Sequence, residues 1–353
     1  MSVQTLPVRK KEVLREVVNT FIETAEPVGS RTVSGKTSHP MSPSTIRNIM
    51  SDLSNMGYLT QPHVSAGRLP TDLGYRIFVD DLMGSHFVTE GERETIQSGY
   101  GIRSVQLEQV LSKVSRVLSD LTNQAGVILL PGAEKLQFRH IEFIRVAVCK
   151  VLVVIVAKIG LVQHRIVQID EDIQREELER ISRFLNEEFA GLSLREIRKR
   201  VLQQMDQERA QFDDLYRRAG MLSLHAFPEE ESGVDEDSVF VEGTSRVYSQ
   251  PDFAEDTEKL KNLYQAFEEK EKLIHLLDQC MDSESICVLI GTESQIAGME
   301  ECSIVAQNYY MDSRSLGTIG LIGPKRMNYP RVVSLVGLAA ESVTRFISSE
   351  KSF

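Results

Sequence analysis

The chain has 353 residues, of which 41% are hydrophobic and 26% charged, and its net charge is −11. That balance excludes a disordered chain, and the longest apolar run, Val151 to Ala157, is too short to span a bilayer. The charge is unevenly placed: residues 1–70 hold eight Lys and Arg against five acids, a local +3, and the remainder carries −14. A mildly basic head on an acidic body fits a DNA-binding module joined to something else. Cys149, Cys280, Cys287 and Cys302 form no CxxC pair and have no matching histidine spacing, and Met1 is followed by no signal-peptide pattern. Reduced thiols in a cytoplasmic protein without metal or cofactor are the expectation.

In chain order, residues 8–24 predict a helix with Val13, Leu14, Val17, Val18, Phe21 and Ile22 inward. After Glu26-Pro27, Ser30 can cap a short helix over Arg31–Lys36. A third helix is written in SPSTIRNIMSDLSNMGYL (42–59). Its apolar stripe is Ile46, Ile49, Met50, Leu53 and Met56; Ser42 caps it, Pro43 takes the first position and Gly57 supplies a left-handed stop. Opposite the stripe lie Ser44, Asn48, Ser51 and Asn55, with Arg47 on the flank. Hydroxyls, amides and one arginine are an unusual outer face, because a merely solvated helix usually carries Glu and Lys. A strand over Tyr58–Gln61, the turn-rich PHVSAG, Arg68-Leu69-Pro70 and a helix capped by Thr71 or Asp72 follow. Three helices and a hairpin are the order of a winged helix-turn-helix.

From about residue 104 the pattern becomes α+β. A helix over Val105–Leu121 precedes strands at Gly126–Leu130, Phe138–Val148, Val151–Ala157 and Leu161–Ile169, then a helix over Glu176–Phe189. A long charged helix, Leu194–Arg218, an acidic stretch, EEESGVDED (229–237), a strand at 239–243 and a helical run, Asp256–Met281, come next. Strands resume at Ile286–Ile290, Ser303–Asn308 and Gly317–Ile322 before the final helix, Tyr329–Ser348. Charged helical material between two sets of strands points to an insertion. His140 and His164 read as strand residues without ligand spacing. The turn at LIGPKRMNYPRVVSLV (321–336) admits two readings, an effector pocket or a tight strand-to-helix connection. No GxSxG, Walker, HExxH or dinucleotide-binding signature is present, so no enzyme is expected.

DNA binding is the expectation for the head. Arg47 and Asn48 sit early on the outer face of the third helix, where arginine can reach guanine and asparagine adenine. Gly67-Arg68 at the hairpin tip can place an arginine on a phosphate or in the minor groove. Ser30, Thr32, Ser44 and Thr45 offer hydroxyls to the phosphate backbone. Arg31, Ser51, His63 and Ser65 complete the candidate set. The acidic body, with its β-branched strands, is the expected heat-labile part.

Five segments, VGSRTVSGK (28–36), SPSTIRNIMSDLSNMGYL (42–59), QPHVSAGRLPTDLGYR (61–76), FVEGTSRVYSQPDF (240–253) and IGPKRMNYPRVVSLV (322–336), together resemble the HrcA family of bacterial heat-inducible transcription repressors. The resemblance runs over nearly the whole chain. It implies a winged-helix domain over residues 1–85 and a GAF-like domain in two parts, 100–191 and 283–350. Between those parts it implies an inserted, mostly helical dimerisation domain over 192–282. It further implies a homodimer on the CIRCE inverted repeat upstream of chaperone operons, kept active by the GroEL–GroES chaperonin and lost on heat shock. A different reading of the same architecture is a metabolite-sensing regulator with a GAF-like effector domain. One departure from the family pattern is Ile49, where an acidic residue is expected.

Overall fold

A computed structural model describes residues 6–349 apart from 64, 99–106, 131–137, 158–161, 190, 193–195, 198–199, 201–221, 223–238, 282, 284 and 312–313. The N-terminal unit is built from α1 (Val8–Thr24), α2 (Ser30–Ser34) and α3 (Pro43–Asn55). A two-stranded hairpin, β1 (Leu59–Thr60) with β2 (Leu69–Pro70), follows, and then α4 (Asp72–Ile77), which runs on as a π turn through Leu82. Each of the three helices buries the residues its periodicity selects: Val13, Leu14, Val17 and Val18 of α1, Val33 of α2, and Ile46, Met50 and Leu53 of α3 are all buried. Phe21, Ile22, Ile49 and Met56 are half-buried against the same core, so the non-acidic Ile49 contributes packing. Ser42 accepts from the Thr45 amide at 3.1 Å, and Gly57 takes φ 84° just past the helix end. The expected cap of α2 is corrected: Ser30 is its first residue, Gly29 stands at the N-cap and no side chain caps it. Thr71, not Asp72, caps α4 by accepting from the Gly74 amide.

The body is organised around a five-stranded antiparallel sheet in the order β7-β3-β10-β9-β8. Its strands are β3 (Ala125–Leu129), β7 (Val239–Glu242), β8 (Cys287–Ile290), β9 (Cys302–Met311) and β10 (Arg314–Pro324). Helices cover both faces, so the central strands are buried along nearly their whole length rather than at alternate residues. One face packs α6 (Leu107–Thr122) and α12 (Tyr329–Ser349) against Ile128, Val305, Ile319 and Leu321. The other face packs α8 (Thr244–Tyr248), α9 (Pro251–Ala254), α10 (Thr257–Glu268) and α11 (Lys270–Met281) against Val127, Leu129, Ile304 and Ala306. The single helical run expected over Asp256–Met281 is thus two helices, divided at Glu269. Between the N-terminal unit and α6 lies an unforeseen helix, α5 (Glu90–Gln97). Its Thr89–Glu92 capping box binds α12 through Arg331, whose Nη2 donates to Glu92 at 2.8 Å. The Thr89 amide, and after it Arg331, hold the Glu92 carboxyl down at about 2.

A second sheet stands apart. It has three antiparallel strands, β4 (Phe138–Ala147), β5 (Lys150–Ala157) and β6 (Val162–Gln168), with α7 (Arg175–Glu188) on one face. Phe138, Ile141, Phe143, Val151, Val153 and Ile155 meet Leu178, Ile181 and Leu185 in a core of their own. β4–β6 do not join the larger sheet, whereas β7 and α8–α11 do. Hairpin partners are adjacent in sequence, but β3 pairs with β7 and β10, more than a hundred residues away, and one strand's pattern does not name such partners. The charged helix at 194–218 and the acidic stretch at 229–237 lie outside the described residues, except for the short helical pieces at 196–197 and 200.

Candidate nucleic-acid interface

The candidate residues of the N-terminal unit lie on α2, α3 and the hairpin. On α3, Ser44, Thr45, Arg47, Asn48 and Ser51 are all exposed. Among the described residues, no hydrogen bond or ion pair engages the side chains of Arg47 and Asn48. The Thr45 hydroxyl lies 2.9 Å from that of Ser42, so it shares in capping the helix. α3 carries one acid, Asp52, and Lys10 of α1 pairs with it at 3.0 Å. That ion pair leaves the guanidinium of Arg47 as the helix's uncompensated charge. Lys10 was invisible as a site residue because its role depends on how α1 crosses α3. The i, i+3 and i+4 pattern of each helix alone does not fix that crossing.

On the short helix, Arg31 and Thr32 are exposed and Ser30 is half-buried. His63 and Ser65 are exposed near the hairpin tip. Gly67 and Arg68 are placed otherwise than expected. They lie where the loop enters β2, half-buried, and there Arg68 and Val28 exchange two backbone hydrogen bonds of 2.9 Å. A Cβ on Gly67 would come within 2.5 Å of the Pro27 backbone, so glycine is what lets the hairpin close on the α1–α2 connection. The Arg68 guanidinium donates to Gln61 Oε1 across the hairpin, and Gln61 Nε2 in turn donates to the Ala66 carbonyl at 2.9 Å. This arginine stiffens the hairpin, and the tip itself is His63 to Ala66.

The N-terminal unit is seated on the body through α4 and the C-terminal end of α1. The rings of Tyr75 of α4 and Tyr329 meet at a tilt of 52°, with centroids 5.9 Å apart, and Tyr329 shares a 2.7 Å hydrogen bond with Ser303. Asp72 accepts from Lys325 at 3.0 Å and from the Thr292 amide at 3.2 Å. Arg76 pairs with Glu293 and donates to the Val288 carbonyl at 2.6 Å. Arg326 binds Asp252 at 2.8 Å and reaches the Ile22 carbonyl at 3.4 Å. Of the two readings of residues 321–336, the connection is the one observed: its two cations are consumed in holding the N-terminal unit. Among the described residues no cluster of His, Cys, Asp and Glu is arranged to hold a metal ion, and no helix is long and apolar enough to cross a membrane.

The model of the HrcA protein C-terminal domain matches residues 108–333. A protein of Geobacter sulfurreducens is 39% identical over 97% of this chain and 98% of its own length. One of Syntrophobacter fumaroxidans is 37% identical over 96% and 97%. Each is named a heat-inducible transcription repressor HrcA. A crystal structure described as that of a hypothetical protein covers 98% of this chain and all of its own, with a TM-score of 0.63 at 22% identity, and shares the fold. These matches define the class as a transcription repressor, which is not an enzyme class. The chain belongs to the HrcA family, whose members act negatively on heat-shock genes.

Proposed function

We propose that the chain is a dimeric winged-helix repressor that lays α3 in the major groove at each half of an inverted repeat, the CIRCE element of chaperone operons. The observation that carries this reading is the outer face of α3: Arg47 and Asn48 are exposed and unpaired on a helix whose single acid is neutralised by Lys10. Arginine bidentate to guanine and asparagine to adenine are the pairings such a face can make. Ser44 and Ser51 extend it along the groove, Ser30, Arg31 and Thr32 face the phosphates, and the tip residues His63 and Ser65 flank it. The two-stranded hairpin is then the wing.

The three-stranded sheet supplies the dimer contact in this reading. Its face away from α7 carries Ile144, Leu152 and Ile166 in one row across the strands. Ile166 is 65% exposed, and Val146 and Val148 at the end of the same sheet are 55% and 69% exposed. Apolar patches of this kind mark interaction surfaces, and a second copy matches the two-fold symmetry of the operator. The inserted dimerisation domain is accordingly read as beginning before β4, with the GAF-like body made of α6, β3 and residues 239–349. The GroEL–GroES chaperonin is the partner that returns heat-opened molecules to the DNA-binding form.

The experiment is a titration of Arg47→Ala against operator and random duplexes at fixed salt. Specific binding should weaken by about 1–3 kcal/mol, with preference relaxed at one base pair per half-site, while random binding changes little. Equal loss on both duplexes would make Arg47 a phosphate contact and remove base reading from its role.

A further inference from the structure

The four cysteines carry no motif, yet the fold brings two of them together. Cys280 lies in the last turn of α11 and Cys287 opens β8, and the Cys280 thiol donates to the Cys287 sulfur at 2.8 Å. That separation is inside ordinary van der Waals contact, which begins at about 3.5 Å for smaller heavy atoms. From the contact geometry and the way it is held, we propose that Cys280 and Cys287 form a redox site, a dithiol that a hydroperoxide closes to an intrachain disulfide and a dithiol reductant reopens.

Two features of the fold set the spacing. The side-chain amide of Asn308, a buried residue of β9, donates to the carbonyls of Met281 at 2.9 Å and Ser283 at 3.0 Å. Asn308 is itself held by the Thr318 hydroxyl, which donates to its Oδ1 at 2.9 Å. The end of α11 is therefore fixed to β9. Cys287 is fixed to the same strand, since β8 pairs it with Ala306. Both thiols are thus referenced to residues two apart on one strand, and closure asks the sulfurs to move less than 1 Å, to a bond of about 2.05 Å.

The two thiols differ in the way a reactive pair must. Cys280 is buried, whereas Cys287 is partly exposed and can meet a small peroxide. The hydrogen bond from Cys280, and after it the positive field of Arg76, hold the Cys287 thiol below its ordinary value, while the Cys280 thiol is pushed up. Cys287 is the attacking thiolate. Its sulfur takes the distal oxygen of the hydroperoxide; the O–O bond breaks and the alkoxide or hydroxide leaves and takes a proton from solvent. Cys287 is now a sulfenic acid, oxidised by two electrons. The Cys280 sulfur attacks it, the S–S bond forms, the S–O bond breaks, and the departing hydroxide takes the Cys280 proton as water. Two thiols and one hydroperoxide become a disulfide, an alcohol or water, and a water. Intracellular disulfides are mostly of this transient kind. The site also adjoins the seam with the N-terminal unit, because Arg76 holds the carbonyl of Val288, the next residue.

The test uses the full-length protein, reduced, desalted and exposed to hydrogen peroxide, then unfolded, alkylated and mapped by mass spectrometry. The expected product is a peptide pair lighter by about 2 Da and joined through Cys280 and Cys287, restored by dithiothreitol, with Cys149 and Cys302 alkylated throughout. Cys280→Ser should stop at a sulfenic acid on Cys287 that dimedone traps. Cys287→Ser should slow peroxide consumption at least about tenfold. In the wild-type chain, no thiol loss, first oxidation at Cys149, or accumulation of sulfinic acid at Cys287 without the disulfide would each overturn the proposal.

Discussion

Ile166→Asp should give a monomer, and lower affinity for the full inverted repeat by about 10²–10⁴-fold, if the proposed dimer contact on the three-stranded sheet holds. Ile166 sits opposite Leu152, which sits opposite Ile144, on the face of the three-stranded sheet that α7 does not cover. A carboxylate there costs nothing in a solvated monomer, but it would have to be desolvated without a partner between two copies. The inward residues of β6, such as Val167, are untouched, so the fold should survive. Each head would still bind one half-site, and the loss comes from the effective concentration that tethering supplies. Sedimentation velocity together with titration on a whole and a half operator checks this. A variant that remains dimeric, or a monomer that binds the whole repeat as tightly as the wild type, would place the dimer contact elsewhere.

The second expectation concerns heat. Brief warming should open the three-stranded sheet before either the five-stranded sheet or the N-terminal unit. The acidic body as a whole was the labile part on sequence grounds, and the packing now divides it. The N-terminal unit shares one continuous core with α6, α12 and the five-stranded sheet, from Val13 and Leu53 through Tyr75 and Tyr329 to Leu335. It is also tied down by Asp72, Arg76 and Arg326. β4–β6 and α7 have a separate and smaller core, with large apolar side chains left exposed on the far face. Unfolding enthalpy is about 0.7 kcal/mol per residue, enough for such a unit to change population over a narrow temperature range. Its opening would abolish the dimer and expose β-branched strands of the kind that aggregate, which gives a chaperonin something to recapture. Hydrogen exchange on the intact protein, just below its transition, should show protection lost first over 138–168, while α3 and β9 keep theirs. Early loss in α3, or operator binding that returns fully on cooling without chaperonin, would contradict this scheme.

Local order was legible in the sequence; partnership was not. The stripe and cap of α3 came directly from Ser42, Ile46, Met50 and Leu53, because a helix buries one face at a fixed period. The exposed Arg47 and Asn48 followed from the same geometry. Arg68 was misplaced because the approach of the hairpin to Val28 is a tertiary contact, permitted by the missing side chain of Gly67. The roles of Lys10, Arg76 and Lys325 were hidden for the same reason: each pairs with an acid at least 42 residues away in sequence. Strands adjacent in the chain, β3 and β4, belong to different sheets, and a strand's own residue pattern does not say which sheet it joins. Cys280 and Cys287, six residues of chain between them, match no motif, and a helix end held by Asn308 is what makes them neighbours.

Operator recognition is tested by hydroxyl-radical and dimethyl-sulfate footprinting of the full-length protein on promoter DNA from the chaperone operons of its own genome. Two protected patches related by a two-fold axis are expected, each with guanine N7 shielded in the major groove, and the shielding lost at one guanine per half-site in Arg47→Ala. Protection of a single unsymmetrical patch, or guanine N7 left fully reactive within the bound site, would contradict it.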